Sequence, residues 1–201
     1  MIKAIIFDFG NVICKFDNDL FIAEISRHTR KPTEELTDLI YNKSRLPILY
    51  ETGIISSDEF YTQMVNLCGL NLSKEQFLKA YTNIFTPINS TLELIRALKK
   101  NYKIALLSNT SEWHFNYAIK PIEIFELFDA VSLSYEVKAM KPDRKIFDDC
   151  LTKLALQPHE CIYIDDIREN SDQAAKMGMT GIQYNSNGEL LKSLHSHHIG
   201  W

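Results

Sequence analysis

Four short apolar runs in the chain stop abruptly at polar residues: 4–7 at Asp8, 104–107 at Ser108 and Asn109, 131–133 at Ser134, and 161–164 at Asp165 and Asp166. Unalternating runs of this length predict strands buried on both faces. Helical patterns lie between them, over residues 91–100, 111–119, 144–154 and 170–177, the last ending at Gly178 as a C-terminal stop. Strand alternating with helix predicts an α/β fold, a three-layer, doubly wound parallel sheet with helices on both faces. The carboxyl ends of such strands collect along one edge, where ligands bind, so the polar residues that close the runs should meet there.

Residues 15–86 break the alternation, because they carry helix signals and no convincing buried strand. Ser56 with Glu59 and Ser73 with Gln76 have capping-box spacing, Pro32-Thr33-Glu34-Glu35 offers a cap and an acidic first turn, and Thr52-Gly53 suits a turn between helices. The pattern therefore predicts an α/β core of residues 1–14 and 87–201 and an all-helical insert of residues 15–86. Phe16, Phe21, Tyr41, Tyr50, Phe60, Tyr61 and Phe77 are read as packing residues of that insert.

A chain of 201 residues, 45% of them hydrophobic, has enough apolar material for one core and an inserted subdomain. Its formal charge of -4, without a basic cluster, gives no basis for binding nucleic acid or an anionic membrane and leaves a small soluble molecule as the expected partner. Cys14, Cys68, Cys150 and Cys161 show no C-x-x-C spacing and are read as reduced thiols. The first apolar run is broken at Asp8, too early for a signal segment, and no later run approaches membrane-spanning length; a cytoplasmic location is expected. His195, His197 and His198 follow the last core pattern without acidic companions and are read as a solvated tail.

The strand-end residues form a chemical set. A carboxylate such as Asp8 can attack phosphorus and form an aspartyl-phosphate that water then cleaves. Carboxylate and phosphate repel each other, so the site needs Mg²⁺, for which Asp8 and Asp166 could supply oxygens. The Ser108 hydroxyl, backbone N–H groups after Asp8 and Ser108, and the Lys141 ammonium are available to the phosphate oxygens. Two adjacent carboxylates, Asp165 and Asp166, repel each other at a strand end unless a cation or donors compensate them, and metal binding is the favoured account.

In order, the motifs read Ile6-Phe7-Asp8-Phe9-Gly10-Asn11-Val12, Leu107-Ser108-Asn109-Thr110, Lys141-Pro142-Asp143, and Ile164-Asp165-Asp166 followed by Asn170. With this set the chain resembles the haloacid dehalogenase-like hydrolases of the subgroup with a helical cap inserted after the first strand, and the resemblance covers essentially the whole chain. It implies that Asp8 is the nucleophile, that Ser108 and Lys141 hold the phosphoryl group, and that Asn109 contributes its backbone amide. It further implies that Asp8, Asp166 and the main-chain carbonyl of Gly10 hold Mg²⁺, with Asp165 assisting nearby or through water. The implied activity is a phosphoric monoester hydrolase on a small phosphate ester, working as a monomer or weak homodimer.

One position departs from the pattern. Family phosphatases usually carry a second Asp two residues after the nucleophile as general acid and base, and here that position is Gly10. Such help is typically worth roughly 10²- to 10⁴-fold, so a substrate with a good leaving group is favoured, and a hexose 1-phosphate is the expected one. Asn11, Asp17 and Glu51 are the residues that could take over the missing role. A metal-independent 2-haloacid dehalogenase is the competing enzyme reading, against which the Asp165-Asp166 pair counts. A non-catalytic module binding a phosphate ligand or a protein is kept open by Gly10.

Overall fold

A computed structural model describes residues 1–201. Its strands are β1 (Ala4–Phe7), β2 (Cys14–Phe16), β3 (Phe85–Pro87), β4 (Lys103–Ser108), β5 (Ala130–Leu133), β6 (Cys161–Asp165) and β7 (Thr180–Gln183). Five of them form one parallel sheet in the order β5-β4-β1-β6-β7. Every residue of β1 is buried, as its unbroken apolar run requires, and it takes the centre of the sheet. There Phe7 pairs with Leu106 on one side and Ile164 on the other, so the residues just beyond them emerge side by side at the carboxyl edge.

The helices are α1 (Asn18–Ser26), α2 (Thr33–Thr37), α3 (Leu46–Glu51), α4 (Ser57–Cys68), α5 (Lys74–Thr82), α6 (Asn89–Leu98), α7 (Glu112–His114), α8 (Ser134–Val137), α9 (Arg144–Leu154), α10 (Arg168–Lys176) and α11 (Asn187–Ser196). Two apolar clusters, one containing Ile5, Phe7, Leu106 and Ile164 and the other Ile6, Leu107, Phe147 and Tyr163, lie on opposite faces of the sheet, so the doubly wound α/β architecture is realised. Helices α1 to α5 surround a third cluster that includes Phe21, Tyr50, Phe60, Phe77 and Tyr81, with Tyr50 and Phe60 stacked at 4.3 Å. Trp113, at the start of the segment after β4, inserts into that cluster and ties it to the sheet. Both capping boxes form, at Ser56 with Glu59 and at Ser73 with Gln76.

The structure departs from the hydrophobic pattern in three places. The helical segment is bounded by a two-stranded antiparallel ribbon, β2 with β3, whose three-residue strands are too short to show a period. The helix expected over residues 111–119 is a single α-turn continued by a π-helical turn, Phe115–Ile119. The C-terminal stretch is no loose tail: α11 buries Leu190 and Leu194 in the core, although its His195 and the following His197 and His198 are exposed as expected. The edge strand β7 is masked in sequence by Gly181, where a Cβ would lie 2.1 Å from the Ser171 carbonyl oxygen; the close approach of α10 demands glycine there. All four cysteines are free and buried. No helix is long and apolar enough to cross a membrane.

Candidate active site

Asp8 leaves the end of β1 and is 7% exposed. The chain turns sharply after it: the Phe9 carbonyl accepts from the N–H groups of Ile13 and Cys14, and Asn11 adopts φ 53°, a left-handed conformation that Asn tolerates better than most residues. The turn brings the Asn11 amide within 2.9 Å of Asp166 Oδ2. Thus Asn11, which motif reading offered as a donor of water or proton, spends its side chain on orienting a carboxylate.

Lys141 reaches this corner from the loop before α9. Its Nζ lies 2.6 Å from Asp8 Oδ1 and 2.8 Å from Asp165 Oδ2, and all three side chains are almost fully buried. Burial by itself drives the Lys141 amine down, but Asp8 and Asp165 together outweigh it and hold the group above its ordinary value as an ammonium. Burial pushes the Asp8 carboxyl up to about 7, with Lys141 pulling against it and Asp165 adding to it. The Asn109 side chain clamps the Lys141 backbone, accepting from its N–H at 2.8 Å and donating to its carbonyl at 3.2 Å. The role of that side chain was not visible in the motif, where only the Asn109 backbone was considered.

Asp165 carries more partners than any other carboxylate in the site. It accepts from Lys141, from the Tyr163 hydroxyl, from the Ile167 N–H at 2.8 Å and from the Asn170 amide at 3.1 Å. These donors compensate the repulsion that made the Asp165-Asp166 pair conspicuous, and they make Asp165 a holder of Lys141. Tyr163 was missed in the sequence, where it is one apolar-looking residue of a buried strand. Burial holds its hydroxyl well above its usual value, so it stays a donor.

Asp8, Asp165 and Asp166 each offer a carboxylate oxygen, all within 4.8 Å of one another. Three carboxylates against one ammonium leave a surplus of negative charge that a cation would offset, and the all-oxygen donor set fits Mg²⁺. Because Asp165 is saturated, Asp8 and Asp166 are the carboxylates with oxygens free of side-chain partners. On the other side of Asp8, Ser108 is 2% exposed and its hydroxyl has only a long 3.5 Å contact with the Asn109 carbonyl. A buried hydroxyl with its hydrogen-bonding capacity unspent suits an incoming oxyanion.

A buried carboxylate, ammonium and hydroxyl at the carboxyl edge of a parallel sheet is the geometry that known relatives can be compared with. Residues 2–178 match the haloacid dehalogenase-like hydrolase family. The chain belongs to that family. It is 28% identical to the D-ribitol-5-phosphate phosphatase of Bacteroides thetaiotaomicron over 96% of this chain and 97% of that protein. A haloacid dehalogenase family enzyme from Bacteroides thetaiotaomicron, solved in complex with magnesium and inorganic phosphate, superposes with a TM-score of 0.79 at 26% identity, covering 91% of this chain and 94% of that one. The L-2-haloacid dehalogenase of Xanthobacter autotrophicus shares the fold, with a TM-score of 0.65 at 18% identity over 100% of this chain and 85% of that one.

In this haloacid dehalogenase-like hydrolase a cavity of about 120 Å³ runs from Gly10, Ser108, Asn109 and Thr110 into the helical segment, where Tyr41, Glu51, Phe60, Met64 and Tyr81 line it. Asp17, weighed from the sequence for the missing role, lies elsewhere: it caps α1, accepting from the Asp19 N–H at 2.9 Å.

His114 closes one side of the cavity, stacked on Tyr81 at 4.0 Å with Nε2 3.0 Å from the Tyr81 carbonyl oxygen. Burial pushes its pKa down from 6.5 to about 4. An unfolded His therefore takes up a proton before the folded one does, so the contribution of His114 to stability is complete above pH 6.5 and is lost as pH falls toward 4. At pH 4.5 the loss should reach roughly 2 to 3 kcal/mol. Urea unfolding of the parent protein and His114→Gln at pH 7.5 and 4.5 checks this: the variant should lose markedly less stability on acidification, and equal losses would refute the assignment.

Proposed function

We propose that the protein is a magnesium-dependent phosphoric monoester hydrolase acting on small sugar phosphates, with hexose 1-phosphates as the first candidates, and that residues 15–86 act as its cap. The observation that carries this reading is the Asp8 carboxylate 2.6 Å from the Lys141 ammonium at the carboxyl edge of the sheet, together with the unspent Ser108 hydroxyl, which lines a compact cavity. Asp8 attacks phosphorus, the bond to the leaving oxygen breaks, and water then cleaves the aspartyl-phosphate, restoring Asp8 and releasing inorganic phosphate. Lys141 and Ser108 hold the phosphoryl oxygens, and Asp165, Tyr163, Asn170 and Asn109 keep Lys141 in place. When bound, Mg²⁺ offsets the repulsion between the Asp8 carboxylate and the phosphate dianion; Asp8, Asp166 and the Gly10 carbonyl are the groups that would hold it.

Cavity size supports a small leaving group. The cavity is compact, about 120 Å³, and it is lined by Asn18, Glu51, Ser108 and Asn109 beside its apolar residues, which is in keeping with a small polar leaving group in preference to the larger base and ribose of a nucleotide. The phosphorylated pentitol named for the Bacteroides relative is in keeping with a compact polyhydroxy substrate.

Phosphate release from glucose 1-phosphate, D-ribitol 5-phosphate, a nucleoside monophosphate and p-nitrophenyl phosphate, with Mg²⁺ or with chelator, tests the reading. The sugar phosphates should exceed the nucleotide in kcat/KM by at least about tenfold, and chelator should abolish turnover. Absence of release from every ester by folded protein would overturn the proposal. Metal-independent dehalogenation of a 2-haloacid would replace it.

A further inference from the structure

The site lacks a carboxylate at Gly10, yet both halves of ester hydrolysis move a proton. The leaving oxygen must gain one unless it is intrinsically stable, and the attacking water must lose one. In-line displacement puts the leaving oxygen on the far side of phosphorus from Asp8, and the space available to a leaving group is the cavity that runs from Gly10 and Ser108 into the helical segment.

Glu51 is the one carboxylate lining that cavity. It is the last residue of α3, half-buried, and its side chain has neither a hydrogen-bond nor an ion-pair partner. Its backbone, by contrast, is fastened to the segment that follows β5: Ser134 Oγ donates to the Glu51 carbonyl at 2.6 Å, and Lys138 donates to the Gly53 carbonyl two residues on. An unpaired acid on a fastened backbone, facing the substrate cavity, is what proton transfer needs.

The other ionisable groups facing the cavity do not serve. Burial, with Glu51 adding to it, raises the hydroxyls of Tyr41 and Tyr81 far above neutrality, while His114 is driven down to about 4 and is bonded to the Tyr81 carbonyl. On the sheet side, Asp8, Asp165 and Lys141 are committed to one another. Glu51 itself is pushed up to about 7 by burial, near the pH at which a single group can both give and take a proton.

We propose that Glu51 is the general acid and base of this enzyme, doing from the helical segment what the missing carboxylate at Gly10 would do. The inference rests on the phosphatase reading above. As the phosphorus–oxygen bond of the substrate breaks, its electron pair goes to the leaving oxygen, which takes the Glu51 proton and departs as an alcohol. Water then enters the vacated side. Its oxygen bonds to phosphorus, its proton passes to the Glu51 carboxylate, and the bond to Asp8 breaks with its electron pair returning to the Asp8 carboxylate.

Glu51→Gln, which preserves size, should lower kcat on D-ribitol 5-phosphate by about 10²- to 10⁴-fold with little change in KM and should remove the pH limb near neutrality. With p-nitrophenyl phosphate, whose leaving group needs no proton, the variant should give a burst of nitrophenol and accumulate phosphorylated enzyme, because only dephosphorylation lacks its base. Adding Gly10→Asp should restore part of the lost kcat. The Cβ at residue 10 would approach Phe16 ring carbons at 3.1 and 3.3 Å, and that ring, 42% exposed, has solvent on one side into which it can shift. Parent-like kcat and pH profile in Glu51→Gln, or a change confined to KM, overturns the proposal. Lack of activity in the parent itself marks failure of the phosphatase reading instead. Loss of folding in Glu51→Gln, seen by circular dichroism, passes the decision to Glu51→Asp and Glu51→Ala, where kcat on the polyol ester at the parent's level again overturns it.

Discussion

Asp8→Asn is expected to abolish phosphate release, lowering kcat by roughly 10⁴-fold or more, while the protein stays folded with an unchanged or slightly higher Tm. The amide is nearly isosteric but is no nucleophile, so no aspartyl-phosphate can form. Stability should not fall, because burial already disfavours the Asp8 carboxylate, and the Lys141 ammonium keeps a second carboxylate, Asp165, at 2.8 Å. A phosphate-release assay paired with thermal unfolding checks both halves. Activity within tenfold of the parent would remove Asp8 from the mechanism, and a large drop in Tm would make it a structural residue.

Lys141→Met should be inactive too, but for a different reason and at a structural cost of about 3 to 5 kcal/mol. Methionine fills the same volume without charge, leaving Asp8 and the fully buried Asp165 facing each other with no cation between them. Tyr163, Asn170 and the Ile167 N–H continue to serve Asp165, so the protein should be weakened and not unfolded. Urea unfolding of Lys141→Met, Asp165→Asn and the double variant forms a cycle in which the double variant should be more stable than the sum of the two single losses predicts. Simple additivity would mean that the buried pair does not couple.

The contrast between these variants follows from the way charge is laid out. Asp8 is needed for chemistry and costs stability; Lys141 is needed for both. Glu51 stands apart from this cluster, with no opposite charge near it, and the Glu51 test therefore reads proton transfer without disturbing the ion pairs of the phosphate corner.

Much of the sheet was legible because a strand buried on both faces has to be written as a continuous apolar run, as residues 4–7 and 161–164 are. The helix of residues 144–154 was equally plain, with Asp143 capping its start. The ribbon of β2 and β3 was not, since each strand has three residues and its pairing joins positions about 70 apart in sequence. The strand β7 was hidden because the second of its four residues is a glycine chosen for helix contact and not for strand propensity.

By itself, then, the sequence determined the α/β alternation and the polar residues that end each core strand, because an apolar run leaving a sheet must close on groups that water or a ligand can satisfy. Tertiary structure alone decided how those groups divide their partners. Lys141 sits between Asp8 and Asp165, Tyr163 and Asn170 hold Asp165, Asn11 holds Asp166, and Glu51 is left unpaired in the cavity. The Lys141–Asp165 and Asn11–Asp166 contacts join groups 24 and 155 residues apart, and hydrogen bonds over such separations leave no mark on any local pattern; Tyr163 and Asn170 stand near Asp165 in sequence, but only the fold turns their side chains onto it.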